Sequence, residues 1–240
     1  LAKKHQLRKL RSGTIINVTS KKQESEVIRA LTRVTQQLIE RYPRVKINHR
    51  GSWLLSDIVG RLKKHFKDVD FHYHFLSSSI RPDGGVLSIL DREGESYPIL
   101  VSEVKNQGTN DLRLAEGKKK QAKGNAIERL GKNVIGLRAA FRMESIFPFV
   151  CFGYGCDFEP DSSILDRVTT VAMFGELCKT NLHDEGPHGL FDRGSYYFRA
   201  KRWSEQEMFE VMLDIADRAV LYYFSKYGRE CFEAGSALPK

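Results

Sequence analysis

Long apolar runs are missing from this chain. No stretch approaches the roughly eighteen residues that a membrane span needs, so a membrane partner is not expected. Cysteine is scarce and unpatterned. Cys151, Cys156, Cys178 and Cys231 follow neither a disulfide-framework nor a zinc spacing. Cys151 sits in an apolar run and reads as a buried thiol, which suits a reducing cytoplasm. No signal peptide is visible in a sequence that starts at Leu1. Internal repeats, Pro/Gly-rich linkers and abrupt composition breaks are also lacking. Residues 1–240 are therefore expected to form one domain, and an apolar content of 41% suffices for a substantial core.

Charge, by contrast, is plentiful and uneven. The net charge is +9, from 39 Lys and Arg against 30 Asp and Glu. Between Arg113 and Arg138 the bases are Arg113, Lys118, Lys119, Lys120, Lys123, Arg129, Lys132 and Arg138, while the acids are only Glu116 and Glu128. Such a stretch suits phosphate contacts, although Lys118 and Lys119 also fit a plain solvated face.

Hydrophobic periodicity supplies the elements. Residues 1–20 are basic and weakly patterned and read as an N-terminal arm. Val27, Leu31, Val34 and Leu38 recur at helical spacing and predict a helix over Glu24 to Arg41, ended by Pro43. A second helix is expected from about Leu54 to Phe66. Val69, Phe71, Tyr73 and Phe75 alternate with polar residues and predict a strand. On it His72 and His74 would share a face, either as metal ligands or, with no third ligand in sight, as part of a half-exposed strand face. Later come helices from about Asn125 to Phe141 and near Ser162 or Ser163, and strands over Pro148 to Gly153 and Ser195 to Ala200. A final helix begins at Ser204 with a Ser204/Glu207 capping box and a stripe of Met208, Val211, Met212, Ile215 and Ala219. Helices and strands interleaved along one chain indicate an α/β domain around a mixed sheet.

The chemistry concentrates in two short motifs. Pro82-Asp83-Gly84-Gly85 is followed by the run Val86 to Leu90, a polar turn Asp91 to Ser96, and the run Tyr97 to Val104, which leads into Lys105. Glu93 is the midpoint between Asp83 and Glu103, so folding a hairpin about the turn returns Asp83 to Glu103. Strand alternation points Glu103 and Lys105 to one face. Converging carboxylates suit a hard cation such as Mg²⁺, which keeps several waters and takes few protein ligands. The Val104 carbonyl, at the strand end, is a candidate third ligand. Metal-assisted phosphodiester cleavage is the activity these groups suit, with Lys105 orienting water and stabilising charge. Asp before Gly-Gly is also a common turn signal, and Glu-x-Lys a common solvated pair.

Three segments together carry a resemblance: Ile80-Arg81-Pro82-Asp83-Gly84-Gly85, Val101-Ser102-Glu103-Val104-Lys105-Asn106-Gln107-Gly108, and Gly124-Asn125-Ala126-Ile127-Glu128-Arg129. With Lys132-Asn133, Phe147-Pro148-Phe149-Val150, Ser163-Ile164-Leu165-Asp166-Arg167 and Met208-Phe209-Glu210-Val211-Met212 in the same order, the chain resembles the EcoRI-like type II restriction endonucleases of the PD-(D/E)xK superfamily, from about His5 to Phe232. The resemblance implies a single restriction-endonuclease-like domain with a central mixed sheet flanked by helices. It implies Asp83, Glu103 and Lys105 as the catalytic set, with Asp83, Glu103 and Val104 around Mg²⁺. It also implies double-stranded DNA as substrate, cut at a palindrome with an AATT core, GAATTC-like, the outer pair being open, to leave 5′-phosphates and 5′ overhangs.

The same likeness assigns base or backbone contacts. Asn125, Glu128 and Arg129 would read adenines in the major groove. Gln107, Gln121, Ala122, Lys123, Gly124, Ala126 and Ile127 would lie along the DNA, with residues 106–123 as a basic DNA-facing segment. Lys132 and Asn133 would meet phosphates, Arg81 the scissile backbone, and Arg167 the recognition site. Departures fall around the outer pair. Gln121-Ala122-Lys123 replaces the family's Met-Ala-Ala, and Thr170 stands where a second arginine is expected. Asn106 replaces a histidine beside the lysine, and the stretch from Thr109 to Lys120 is shorter than in the family. A homodimer is expected because a palindrome offers two equivalent half-sites. A cognate DNA methyltransferase would be a functional companion without stable binding, in a bacterial cytoplasm. Two alternatives are a non-catalytic DNA-binding module, which need not keep the three charged residues together, and a repair or recombination nuclease without base readout, which would not need Asn125, Glu128 and Arg129.

Overall fold

The computed structural model describes residues 15–106, 114–119, 125–173, 176–183 and 193–234. Among them, five strands form a mixed sheet in the order β1 (Lys46–Arg50), β4 (Gly85–Leu90), β5 (Ser96–Asn106), β6 (Phe149–Tyr154), β7 (Ser195–Arg199). The first pairings, β1 with β4 and β4 with β5, are antiparallel, while β5–β6 and β6–β7 are parallel. A small separate ladder joins β2 (Trp53–Leu54) to β3 (Ser79–Ile80). The expected α/β domain with a central mixed sheet is what forms.

Helices cover both faces, and strand alternation explains how. On β6, Val150, Phe152 and Tyr154 face one core, and Phe149 and Cys151 face the other. The first core is closed by α1 (Ile15–Arg41) and α5 (Glu205–Tyr227). Val27, Leu31, Val34 and Leu38 of α1 and Met208, Met212, Ile215 and Ala219 of α5 are fully buried or nearly so. The second core is closed by α2 (Leu55–His65), α3 (Asn125–Ala140) and α4 (Ser163–Val171), through Ile58, Leu62, Ile127, Leu130, Val134, Ile164 and Val168. Helix α5 opens with the expected capping box, in which the Ser204 hydroxyl and the Glu207 carboxylate satisfy each other's backbone N–H groups. Arg199 and Ser204 draw the Glu207 carboxyl down to about 2.

Some sequence-based expectations change. Of the arm expected over residues 1–20, residues 15–20 belong to helix α1, and residues 1–14 lie outside the described residues. Val69 to Phe75 form no strand; the segment is an irregular connection with Phe75 and Leu76 exposed. The reason lies in the sheet. The place beside β4 is taken by β1, the polar segment Lys46-Ile47-Asn48-His49-Arg50, so the alternating segment does not pair with the hairpin. His72 and His74 place their rings edge to face at 5.8 Å. No cluster of three or more His, Cys, Asp or Glu residues able to hold a metal occurs among the described residues. No described helix is long and apolar enough to cross a membrane.

Candidate active site

The hairpin does what its spacing implies. In the β4–β5 ladder Gly85 pairs with Ser102 and Val86 with Val101, with a bulge between Leu87 and Ser88 that keeps the longer β5 in register. Asp83, just before β4, thereby lies against Glu103 to Lys105. The Asp83 N–H donates to Glu103 Oε2 at 3.1 Å, and the Val104 N–H donates to Asp83 Oδ2 at 3.1 Å. The Lys105 ammonium bridges both acids. It lies 3.3 Å from Asp83 Oδ2, in close contact with Glu103 Oε1, and 3.1 Å from the Val104 carbonyl. Sequence reasoning named these four residues, and the structure brings them together.

Glycine makes the approach possible. A Cβ on Gly84 would lie 2.0 Å from Ser102 Oγ, and Gly85 has a φ of +79°, a region that suits glycine. The buried Ser102 hydroxyl has no hydrogen-bond partner of its own. Gly84→Ala is therefore expected to push the Asp83 turn away from β5, costing about 1–3 kcal/mol of stability and depressing activity further. Ser102→Gly in the same chain removes the obstructing atoms without breaking a hydrogen bond, and should recover most of both losses. Urea unfolding and DNA cleavage of the single and double variants check this.

Electrostatics set the protonation states. Glu103 is 3% exposed. Burial pushes its carboxyl up, Lys105 offsets part of that, and repulsion from Asp83 adds to the rise. Burial opposes the charge on Lys105, but attraction from its acidic neighbours outweighs it and holds the ammonium above the ordinary lysine range. Lys105 is thus a cation in this arrangement. Two hard carboxylate oxygens with strain between them form a donor set that fits a divalent cation able to retain its waters. The Val104 carbonyl now accepts from Lys105 and joins such a set only if the ammonium releases it. Sequence reasoning missed three neighbours. Glu24 of α1 has its carboxyl raised, first by partial burial and then by Asp83, which places it within electrostatic reach of the site. The buried Cys151 thiol stands opposite Glu103 on β6, and its pKa is pushed well up by burial. His49 of β1 bonds the Gly84 carbonyl. Only strand pairing and helix packing join these residues to the motif, so no local signal could have marked them.

The α3 side of the sheet carries the other candidates. Val101 lies in the core beneath α3, and alternation points Glu103 and Lys105 to that same side. On α3, Glu128, Arg129 and Lys132 are exposed and Asn133 is half-buried. Arg167 of α4 reaches Glu128 at 3.7 Å, so these two lie on one surface. Gly136 lets α3 approach Ile80, where a Cβ would meet the Ile80 side chain at 3.0 Å. That contact couples the helix to the strand leading into Arg81 and Asp83. Arg81 is exposed and donates to the Ser79 hydroxyl at 3.1 Å. Ala126 is half-buried, and Ile127, expected along the DNA, is turned inward instead. Its side chain is 1% exposed within the core, because the inward stripe of α3 runs through Ile127, Leu130, Val134 and Leu137, so it does not present itself to DNA. Gln107, Gln121, Ala122, Lys123, Gly124 and the Asn125 side chain lie outside the described residues, as does most of the segment 106–123.

A mixed sheet with an Asp, Glu-x-Lys hairpin at its heart defines a restriction-endonuclease-like nuclease. Comparison with known proteins sharpens that class. The restriction endonuclease EcoRI family matches residues 11–167. The type II restriction enzyme RsrI of Cereibacter sphaeroides is 30% identical over 237 residues, covering 85% of this chain and 85% of that protein. The type II restriction enzyme EcoRI of Escherichia coli is 29% identical over 235 residues, covering 83% of each. The chain belongs to the EcoRI family of restriction endonucleases and is a site-specific DNA nuclease. Enzymes of this class generally use a divalent metal ion.

Proposed function

We propose that the enzyme hydrolyses both strands of a palindromic duplex with an AATT core, using Mg²⁺, and leaves 5′-phosphates and 5′ overhangs. The observation that carries this reading is the convergence of Asp83, Glu103 and Lys105 on the side of the sheet that also bears Glu128 and Arg129. Asp83 and Glu103 would hold the ion, with the Val104 carbonyl as a further oxygen. When bound, Mg²⁺ supplies Lewis acidity to a phosphoryl oxygen and a lowered pKa to a coordinated water. Lys105, already charged, donates to the attacking water and to the developing negative charge rather than taking a proton.

Recognition falls to α3 and its approach. The Asn125 amide matches the N6 and N7 edge of adenine, Glu128 accepts from adenine amino groups, and Arg129 donates to N7. Arg167 holds Glu128 by charge, as their contact supports. Gln107, Gln121, Ala122, Lys123, Gly124 and Ala126 line the DNA, while Lys132, Asn133 and Arg81 meet its backbone. This adenine-reading set is kept while the outer-pair set is altered, so the outer pair need not be the family's usual one. A homodimer places one site on each strand of the palindrome. A companion methyltransferase, acting on the same sequence without a stable complex, protects host DNA in the bacterial cytoplasm.

Supercoiled plasmid incubated with Mg²⁺ or with EDTA tests the reading. Discrete fragments that form only with Mg²⁺ and rejoin with DNA ligase without a kinase step are expected. A smear, or equal cutting in EDTA, would contradict it.

A further inference from the structure

The β1–β4 ladder ends at the pair Arg50–Val86, and its last glycine, Gly85, turns the chain away with a φ of +79°. The carbonyl of Gly84 therefore lies beyond the reach of ladder hydrogen bonds from β1. A side chain reaches it instead, with His49 Nε2 2.8 Å from Gly84 O. A carbonyl can only accept, so Nε2 carries the proton and donates. On the other side, the Gly84 N–H donates to the Ser102 carbonyl at 3.0 Å, and the Gly85 N–H closes the turn onto Pro82 O at 3.0 Å. The residue that follows Asp83 is thus strapped to both neighbouring strands, to β5 by its N–H and to β1 by its carbonyl. The fit is tight. A Cβ on Gly85 would meet Arg50 O at 2.5 Å and His49 Nε2 at 2.7 Å, so the imidazole lies directly on the turn.

We propose that His49 is a positioning residue of the nuclease site, fixing through the Gly84 carbonyl the backbone that presents Asp83 to Glu103 and to the metal. The inference rests on the nuclease reading above and adds to it a residue that touches neither DNA nor metal. The physical argument is one of tolerance. Asp83 Oδ2 is set by bonds from the Val104 N–H and Lys105 at 3.1 and 3.3 Å. A cation drawn between Asp83 and Glu103 must pull against Lys105, and only a fixed turn keeps the Asp83 carboxylate from following the lysine. Outer partners that orient metal-binding groups typically change metal affinity by about 10- to 100-fold when removed.

The test compares wild type, His49→Ala and His49→Gln as full chains. Four quantities are measured: Mn²⁺ binding by electron paramagnetic resonance, the Mg²⁺ concentration for half-maximal single-turnover cleavage, duplex affinity in EDTA, and the thermal unfolding midpoint. His49→Ala is expected to weaken Mn²⁺ binding and to raise the Mg²⁺ requirement, each by roughly tenfold or more. Duplex affinity in EDTA and the thermal unfolding midpoint should stay near wild type. His49→Gln, which keeps a donor, should recover most of the metal affinity. Three outcomes would overturn the assignment: an alanine variant that binds Mn²⁺ and cleaves like wild type, a glutamine variant as impaired as alanine, or a loss confined to duplex affinity in EDTA, which would make His49 a phosphate contact. A wild-type protein that neither binds Mn²⁺ nor cleaves would remove the nuclease reading and this inference together.

Discussion

Glu103→Gln is expected to lower the single-turnover rate of DNA cleavage by about a thousandfold or more while leaving duplex binding in EDTA close to wild type. The substitution keeps the side chain's shape but removes the charge that would hold the metal and that anchors Lys105 in this arrangement. Folding should survive it. Without the Glu103 charge, the Lys105 ammonium keeps the Asp83 carboxylate and the Val104 carbonyl as acceptors, so it is not left unpaired. Lys105→Gln is expected to cost roughly 10²–10³ in rate, because it removes the donor proposed to meet the developing charge. A rate that fell only in proportion to duplex affinity would place both residues in binding rather than in catalysis.

The second large effect concerns sequence readout. Replacing one inner A·T pair of the AATT core symmetrically, in both half-sites of a synthetic duplex, is expected to weaken specific cleavage by roughly 30-fold to 10⁴-fold, from about 1–3 kcal/mol per mismatched pair. Glu128→Ala should shrink that penalty at the adenine it is proposed to read, since the exposed carboxylate would be the acceptor that distinguishes the right base. Lys132→Ala should instead weaken all duplexes alike and reduce the salt dependence of binding, as expected of a phosphate contact. Competitive cleavage of a set of duplexes that differ at one symmetric position separates these cases. Tolerance of every inner change, with strict dependence on the outer pair alone, would contradict an AATT core.

What was legible beforehand follows from what each signal depends on. The Asp83–Glu103–Lys105 constellation could be drawn from the chain because a hairpin is local: strand period, turn position and residue count decide it. The helices over Glu24 to Arg41 and from Ser204 onward were visible because their apolar stripes and the Ser204/Glu207 cap are also local. Val69 to Phe75 misled because alternation records what a strand would bury, not whether a ladder is available. The place beside the hairpin is held by Lys46–Arg50, whose polar residues carry no strand signal. Ile127 misled for a related reason. Its motif resembles a DNA-reading segment, yet the helical period within that motif turns Ile127 inward while Glu128 and Arg129 face out. His49, Glu24 and Cys151 lay beyond any local pattern, since strand pairing and helix packing alone bring them to the site.

The most direct measurement is end sequencing of every cut that wild-type enzyme and the Glu103→Gln variant make in one plasmid of known sequence with Mg²⁺. Wild type is predicted to give 5′ ends that begin uniformly at AATT within a palindrome of constant flanks, and the variant to give almost none. Scattered ends, or the same cuts from both proteins, would contradict a site-specific nuclease built on the Asp83–Glu103–Lys105 hairpin.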